Sequence, residues 1–277
     1  MNSGGGPGLG AEPPIVPPLR LKKQQRARFT EITVAIVLPW LIFFLVVSLF
    51  LFAFHDMKVL VWVLLGGCLA LSLLFLAIGL FSRNGTFLAI GFLSLVSLGV
   101  GSAMGLWLDR EYLQRYWELD GGMEYKDADP TEDVRRTENA TVIRFAPGAA
   151  VDDRRTIGYV AEGGIFCVAP VVLPPHASAP VGYWAVGEDC CEMRSNFDCG
   201  TARELDAQTA VVERPSEVYR KAIQQAVSVY GVHIPTNGSK LVSFVSDPQV
   251  VVGDIWDEAL TIALISMIMD LCLCAVA

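Results

Sequence analysis

The chain has 277 residues, of which 53% are hydrophobic and 18% charged, with a mean hydropathy of +0.45 and a net charge of −8. A soluble domain is nearer 45–50% apolar and about 25% charged, so this composition argues against an ordinary soluble protein and points to membrane spans. From Asp109 to Trp256 there are 23 acids against 14 bases, which argues against nucleic acid as a partner of that segment.

Residues 1–31 open with Gly4-Gly-Gly-Pro7 and Pro13-Pro-Ile-Val-Pro-Pro18, then carry Arg20, Lys22, Lys23, Arg26 and Arg28. No core can form from Gly and Pro, so residues 1–31 are expected to be a disordered, basic cytosolic tail. Three uncharged runs follow: Ile32–Phe54, Val59–Phe81 and Thr86–Leu108. Roughly 20 apolar residues cross a 30 Å hydrocarbon core, so each suffices. The first begins too late and runs too long for a cleaved signal peptide, and reads as a retained anchor. Four-residue links, His55–Lys58 and Ser82–Gly85, force an up-down-up bundle over residues 32–108. Ser97, Gly101 and Gly105 recur every four residues, as do Gly66 and Ala70. Small residues at this spacing let helices approach closely in lipid, within one chain or in a self-associating pair.

The basic tail places the N-terminus in the cytosol by the positive-inside bias. Residues 109–256 are then extracellular or luminal, and a fourth span over 259–277 returns the C-terminus to the cytosol. Two sequons, Asn139-Ala-Thr141 and Asn237-Gly-Ser239, fall in the outer segment and are glycosylation candidates. Asp270 is the one acid well inside a span; it reads as a packing or interfacial group, with ion coupling as the rival. Cys274-Ala-Val-Ala277 fits a prenylation pattern in letter, yet sits in an apolar run without adjacent bases.

Residues 109–140 read as an extension of the third helix, ended by Gly121-Gly122, and an acidic linker. Strand-like runs follow at Thr141–Phe145, Thr156–Val160, Ile165–Val172, Val181–Val186 and Leu241–Val245. A helix after Pro215 stops at Gly231, with Val218, Ala222, Ala226 and Val229 as its apolar stripe. The expected fold is therefore a four-span helical bundle with a disulfide-stabilised α+β ectodomain over residues 141–252.

Of seven cysteines, Cys167, Cys190, Cys191 and Cys199 lie in this domain. A bond between adjacent residues needs a strained turn, so Cys190 and Cys191 are each expected to bond one of Cys167 and Cys199, in either pairing. Glu188, Asp189 and Glu192 would raise a nearby thiol's pKa, which disfavours a redox-active pair. No His stands at ligand spacing for zinc, and the acids lack calcium-loop spacing, so no metal or cofactor is expected. No nucleophile, phosphate-loop or dinucleotide signature is present, so the chain reads as non-enzymatic.

Tyr183-Trp-Ala-Val-Gly187, Asp189-Cys-Cys191 and Asn196-Phe-Asp-Cys-Gly200, with the later Val245-Ser-Asp-Pro248, resemble a motif of uncharacterised multi-pass membrane proteins from dinoflagellate protists. The resemblance covers roughly a third of the chain and implies architecture, not activity. The topology is similar to that of tetraspanins: four spans, a large loop after the third, and a Cys-Cys pair. Here Glu192 follows the pair in place of their Gly, and the first outer loop is far shorter. The function expected is display of the ectodomain for protein contact or scaffolding, with the bilayer and a protein as partners. Transport through Asp270 and a luminal redox or ligand-binding role are the alternatives.

Overall fold

The computed structural model describes residues 18–174, 180–204 and 207–276, with side chains from Phe29 onward. It divides into two units, one comprising the chain to Trp107 together with Ile262–Ala277, the other Leu108–Thr261.

The first unit is helical: α1 (Pro18–Phe52), α2 (Lys58–Ser82), α3 (Gly85–Leu108) and the later part of α6 (Pro248–Val276). Among the described residues, four helices are long and apolar enough to cross a membrane: Phe29–Phe52, Lys58–Ser82, Gly85–Asp120 and Pro248–Val276. Residues 1–17 of the expected disordered tail lie outside the described residues. Residues 18–31 depart from that expectation, because they belong to α1. Pro18 suits a first helical position, and Lys, Gln, Arg and Ala are strong helix formers. α6 likewise begins eleven residues ahead of the expected Ala259, at Pro248.

Small residues seat these helices closely. A Cβ at Gly101 would lie 3.2 Å from the Phe43 ring, and one at Gly105 would strike Phe50. Both glycines thus face α1 within this chain. Gly66 has nothing within 4 Å of its Cβ position, and Ala70 is exposed. The glycines that fit α2 to α3 are instead Gly79 and Gly91, whose Cβ positions run into the backbones of Leu88 and Leu76. Apolar packing must replace the hydrophobic effect in lipid, and bare glycine maximises it. The indole of Trp40 donates to the Met267 carbonyl at 3.0 Å and ties α1 to α6.

The second unit is α+β. Its sheet has strands β1 (Met123–Ala128), β2 (Ala140–Phe145), β3 (Ala150–Val151), β4 (Ile157–Ala161), β5 (Gly164–Val172), β6 (Tyr183–Glu188), β7 (Thr209–Glu213) and β8 (Lys240–Phe244). The order is β1-β2-β7-β8-β6-β5-β3, with β4 also pairing β5. Pairs β1–β2 and β6–β8 are parallel and the rest antiparallel. The acidic stretch read as a linker is therefore largely structured: it holds β1 and a 3-10 turn over Val134–Thr137. Ahead of it, a π-helical turn (Asp109–Leu113) and α4 (Gln114–Asp120) end at Gly121. Arg115 fastens α4 to β7, donating to the Val212 carbonyl at 2.7 Å and pairing with Glu213 at 3.0 Å.

Strand alternation sorts the core into two faces. Tyr183, Ala185, Cys167 and Ala169 point to one; Trp184, Val186 and Val168 point to the other. The helix α5 (Glu217–Tyr230) covers the second face with Ala222, Ile223 and Ala226. The stripe is thus shifted from the expected one, since Val229 is exposed. Pro215 lies just ahead of the helix; Ser216 caps it, its hydroxyl accepting from the Tyr219 amide at 3.2 Å, and Gly231 ends it at φ 64°.

Tyr219 packs edge-on against Phe166, 5.5 Å between ring centres. Burial pushes its phenol up to about 12, with Glu188 and Glu213 adding to the effect. Unfolded tyrosine ionises near pH 10. Between pH 10 and about 12 the folded state therefore keeps a proton that the unfolded state has lost. Stability is full below pH 10 and falls across that window, by up to about 2–3 kcal/mol. Urea unfolding at pH 8 and 11.5 should show a smaller loss for Tyr219→Phe than for the parent.

Candidate functional site

The sheet face opposite α5 is closed by the segment after β6, and the two disulfides lie there. Cys167 bonds Cys191, and Cys190 bonds Cys199. The register explains how they fit. Cys167 in β5 pairs with Gly158 in β4 on one side and with Gly187 in β6 on the other. A row of Gly, Cys and Gly thus crosses three strands, and side chains are missing where sulfur must sit. A Cβ at Gly187 would lie 2.6 Å from the Cys190 Sγ and 2.7 Å from the Cys199 Sγ. A Cβ at Gly158 would lie 2.9 Å from the Glu192 carbonyl oxygen and 3.2 Å from the Cys191 Sγ.

The segment is fixed by more than sulfur. The Asp189 carboxyl accepts from the Ile165 amide at 2.8 Å, and the Asp189 amide donates to the Ile165 carbonyl at 2.8 Å. Asp189 reaches this arrangement at φ 53°, a left-handed conformation that Asp tolerates better than most residues. The Gly158 amide donates to the Met193 carbonyl at 3.0 Å, so the loop also pairs along β4. Asp153 accepts from the Phe197 amide at 2.6 Å, and Phe197 is buried beneath the loop with Cys199. Gly200 sits at φ 54°, and its Cβ position collides with the Phe244 carbonyl oxygen, so only glycine lets the chain cross β8 there.

Burial splits each disulfide. Cys167 and Cys199 are buried, whereas Cys190 and Cys191 are half-buried. The Sγ atoms of Cys167, Cys190 and Cys199 lie within 4.8 Å of one another. All three are committed to disulfides, so none is a thiolate ligand in this state. Around them Glu188, Asp189, Glu192 and Asp198 are exposed, with Met193 among them. This face is a disulfide-bonded surface rimmed by acids, with Arg194 exposed among them and Arg203 paired to Asp198.

The remaining candidates lie elsewhere. Asn139 and Asn237 are exposed in the α+β unit, and the Asn237 amide donates to Asp133 at 3.0 Å. In the helical unit Asp270 is buried, which fits a packing group. The Ser97 hydroxyl donates to its Oδ1 at 3.1 Å, and the Cys274 Sγ lies 3.8 Å from its Oδ2. Cys68, Cys272 and Cys274 are free thiols.

Gly187, Phe197 and Gly200 enter the sequence reading only as members of the motif, without a structural role, and Gly158 does not enter it. A signal existed for Gly187: an isolated glycine inside a strand marks close approach by another segment. Comparison with protein families, with curated proteins and with solved structures finds no match.

Proposed function

We propose that the chain is a four-span membrane protein that displays its α+β unit, outside the cytosol, as a non-catalytic contact surface for another protein. The supporting observation is the sheet face closed by two disulfides where a helix would ordinarily sit. Disulfides persist in secretory and extracellular spaces, and a cross-linked loop loses little entropy when a partner binds it. The orientation rests on the basic residues ahead of the first span and on the two exposed sequons, Asn139 and Asn237. The resemblance to dinoflagellate multi-pass proteins and the tetraspanin-like order of spans favour the same architecture. The second reading, transport or an accessory channel role, draws on Asp270 alone. A luminal redox role has the half-buried Cys190 and Cys191 in its favour and the acids around them against it.

Topology and contact can be tested together in cells. Asn139→Gln and Asn237→Gln should each remove one glycosidase-sensitive mass step. A photo-crosslinking amino acid at Met193, at the exposed centre of the loop, should yield one discrete adduct. Cytosolic reactivity of residues 141–252 to an impermeant label would reverse the orientation. Absence of any adduct at Met193 and at neighbouring loop positions would remove the contact function.

A further inference from the structure

We propose that Asp270 and the groove beside it form a docking site, inside the membrane, for a partner transmembrane helix bearing one Lys or Arg. The groove holds about 290 Å³ and lies between α1, α3 and α6. Phe43, Val100, Met104, Ile265 and Met269 line it, and Asp270 stands in its wall. Ser266 also borders it, but its hydroxyl already donates to the Ala263 carbonyl at 2.7 Å.

The carboxyl of Asp270 is short of donors. A carboxylate offers about four acceptor sites. Here a single hydroxyl, Ser97, is shared between the two oxygens at 3.1 Å and 3.3 Å, and one thiol, a weak donor, lies at 3.8 Å. No cation stands in the apolar stretches: residues 29–54, 59–82, 85–108 and 259–276 contain no Lys, Arg or His. Acids at membrane depth pair with a cation or with polar groups, because lipid supplies neither.

That composition also selects the occupant. A lipid chain would fill the apolar walls and leave the carboxyl unpaired. A second copy of this chain has no base within those apolar stretches to offer; Lys58, Arg83 and Arg110 stand outside them. A different helix with one Lys or Arg satisfies both parts of the site. Its methylene stem lies along Val100, Ile265 and Met269, and its charged head reaches Asp270. This site does not depend on which side of the membrane the α+β unit faces.

The test uses the full chain, fluorescently labelled and reconstituted in neutral phosphatidylcholine vesicles. The probes are acceptor-labelled 23-residue Leu/Ala helices carrying one Lys at successive depths, and the same helix without Lys. Energy transfer should report at least tenfold tighter association for one Lys depth than for the Lys-free helix. Asp270→Asn should abolish that preference and Asp270→Glu should keep it. Val100→Trp, which fills the groove and leaves the carboxyl, should also abolish it. Equal association of Lys and Lys-free helices with the unmodified chain overturns the proposal and needs no variant. So does a Lys preference that survives Asp270→Asn. Should that variant not fold, an undiminished preference in Val100→Trp overturns it equally.

Discussion

Gly187→Ala is expected to prevent the Cys190–Cys199 bond and to destabilise the α+β unit by more than any single surface change. The added methyl would lie 2.6 Å and 2.7 Å from two bonded sulfurs, well inside contact distance. Neither sulfur is the free end of a flexible chain, since each is tethered through its own backbone and through its partner. β6 cannot retreat, because it pairs with β5 on one side and β8 on the other. Overpacking a core costs about 1–3 kcal/mol, and losing a native disulfide about 2–5 kcal/mol. For a unit of this size each kcal/mol lowers the melting temperature by roughly 2–4 °C, so a fall of about 10 °C or more is expected. Alkylation of the denatured, unreduced protein supplies a second readout. The parent should take label at Cys68, Cys272 and Cys274, and the variant also at Cys190 and Cys199. Gly164→Ala is the control. Its Cβ would meet nothing closer than 3.5 Å, so labelling and melting should stay at parental values. Parental labelling in Gly187→Ala would show that the strand yields, and that the Gly-Cys-Gly row is not what admits the sulfurs.

This row also marks where sequence stopped being informative. Long uncharged runs betray membrane-type helices because a charge in lipid is costly, so the first three apolar segments are plain, while the fourth is shorter and carries Asp270. The membership of the four cysteines in one domain was equally plain. Their pairing depended on which residues stand beside Cys167, and only the register of β4, β5 and β6 settles that. β1 reads as linker because Met123, Tyr125 and Ala128 stand among Glu124, Lys126 and Asp127 in an acidic stretch, without branched apolar residues. It lies at a sheet edge with both faces largely exposed, so it needs little. β7, Thr209–Glu213, is absent from the sequence reading too, since five residues carry too little pattern. The packing partner of Asp270 is illegible in the sequence for a different reason. Ser97 reaches it from α3 and helps to bury it. A polar partner 173 positions away leaves no local trace in the sequence.

Removing the disulfides one at a time should give unequal and separable effects. Cys167–Cys191 closes a loop of sequence separation 24, and Cys190–Cys199 one of separation 9. Loop-closure entropy then assigns about 3.5 kcal/mol to the longer and about 2.7 kcal/mol to the shorter. Paired Cys→Ala changes should follow that order in urea unfolding of the full chain. Single substitutions probe something different. Cys191→Ser leaves a buried thiol on Cys167, whose sulfur lies within 4.8 Å of both sulfurs of the surviving bond. A thiolate at that range can attack a disulfide and release one of its partners, conserving one bond and one thiol. The variant should therefore yield a mixture on peptide mapping: Cys190–Cys199 together with Cys167–Cys199 or Cys167–Cys190. A variant with Cys190 and Cys199 both replaced cannot exchange and should map to Cys167–Cys191 alone. A single unshuffled bond in Cys191→Ser, after incubation at pH 8.5 where thiolate is abundant, would show that the loop holds the sulfurs out of line for attack. The contact surface would then be rigid even with half of its covalent frame removed.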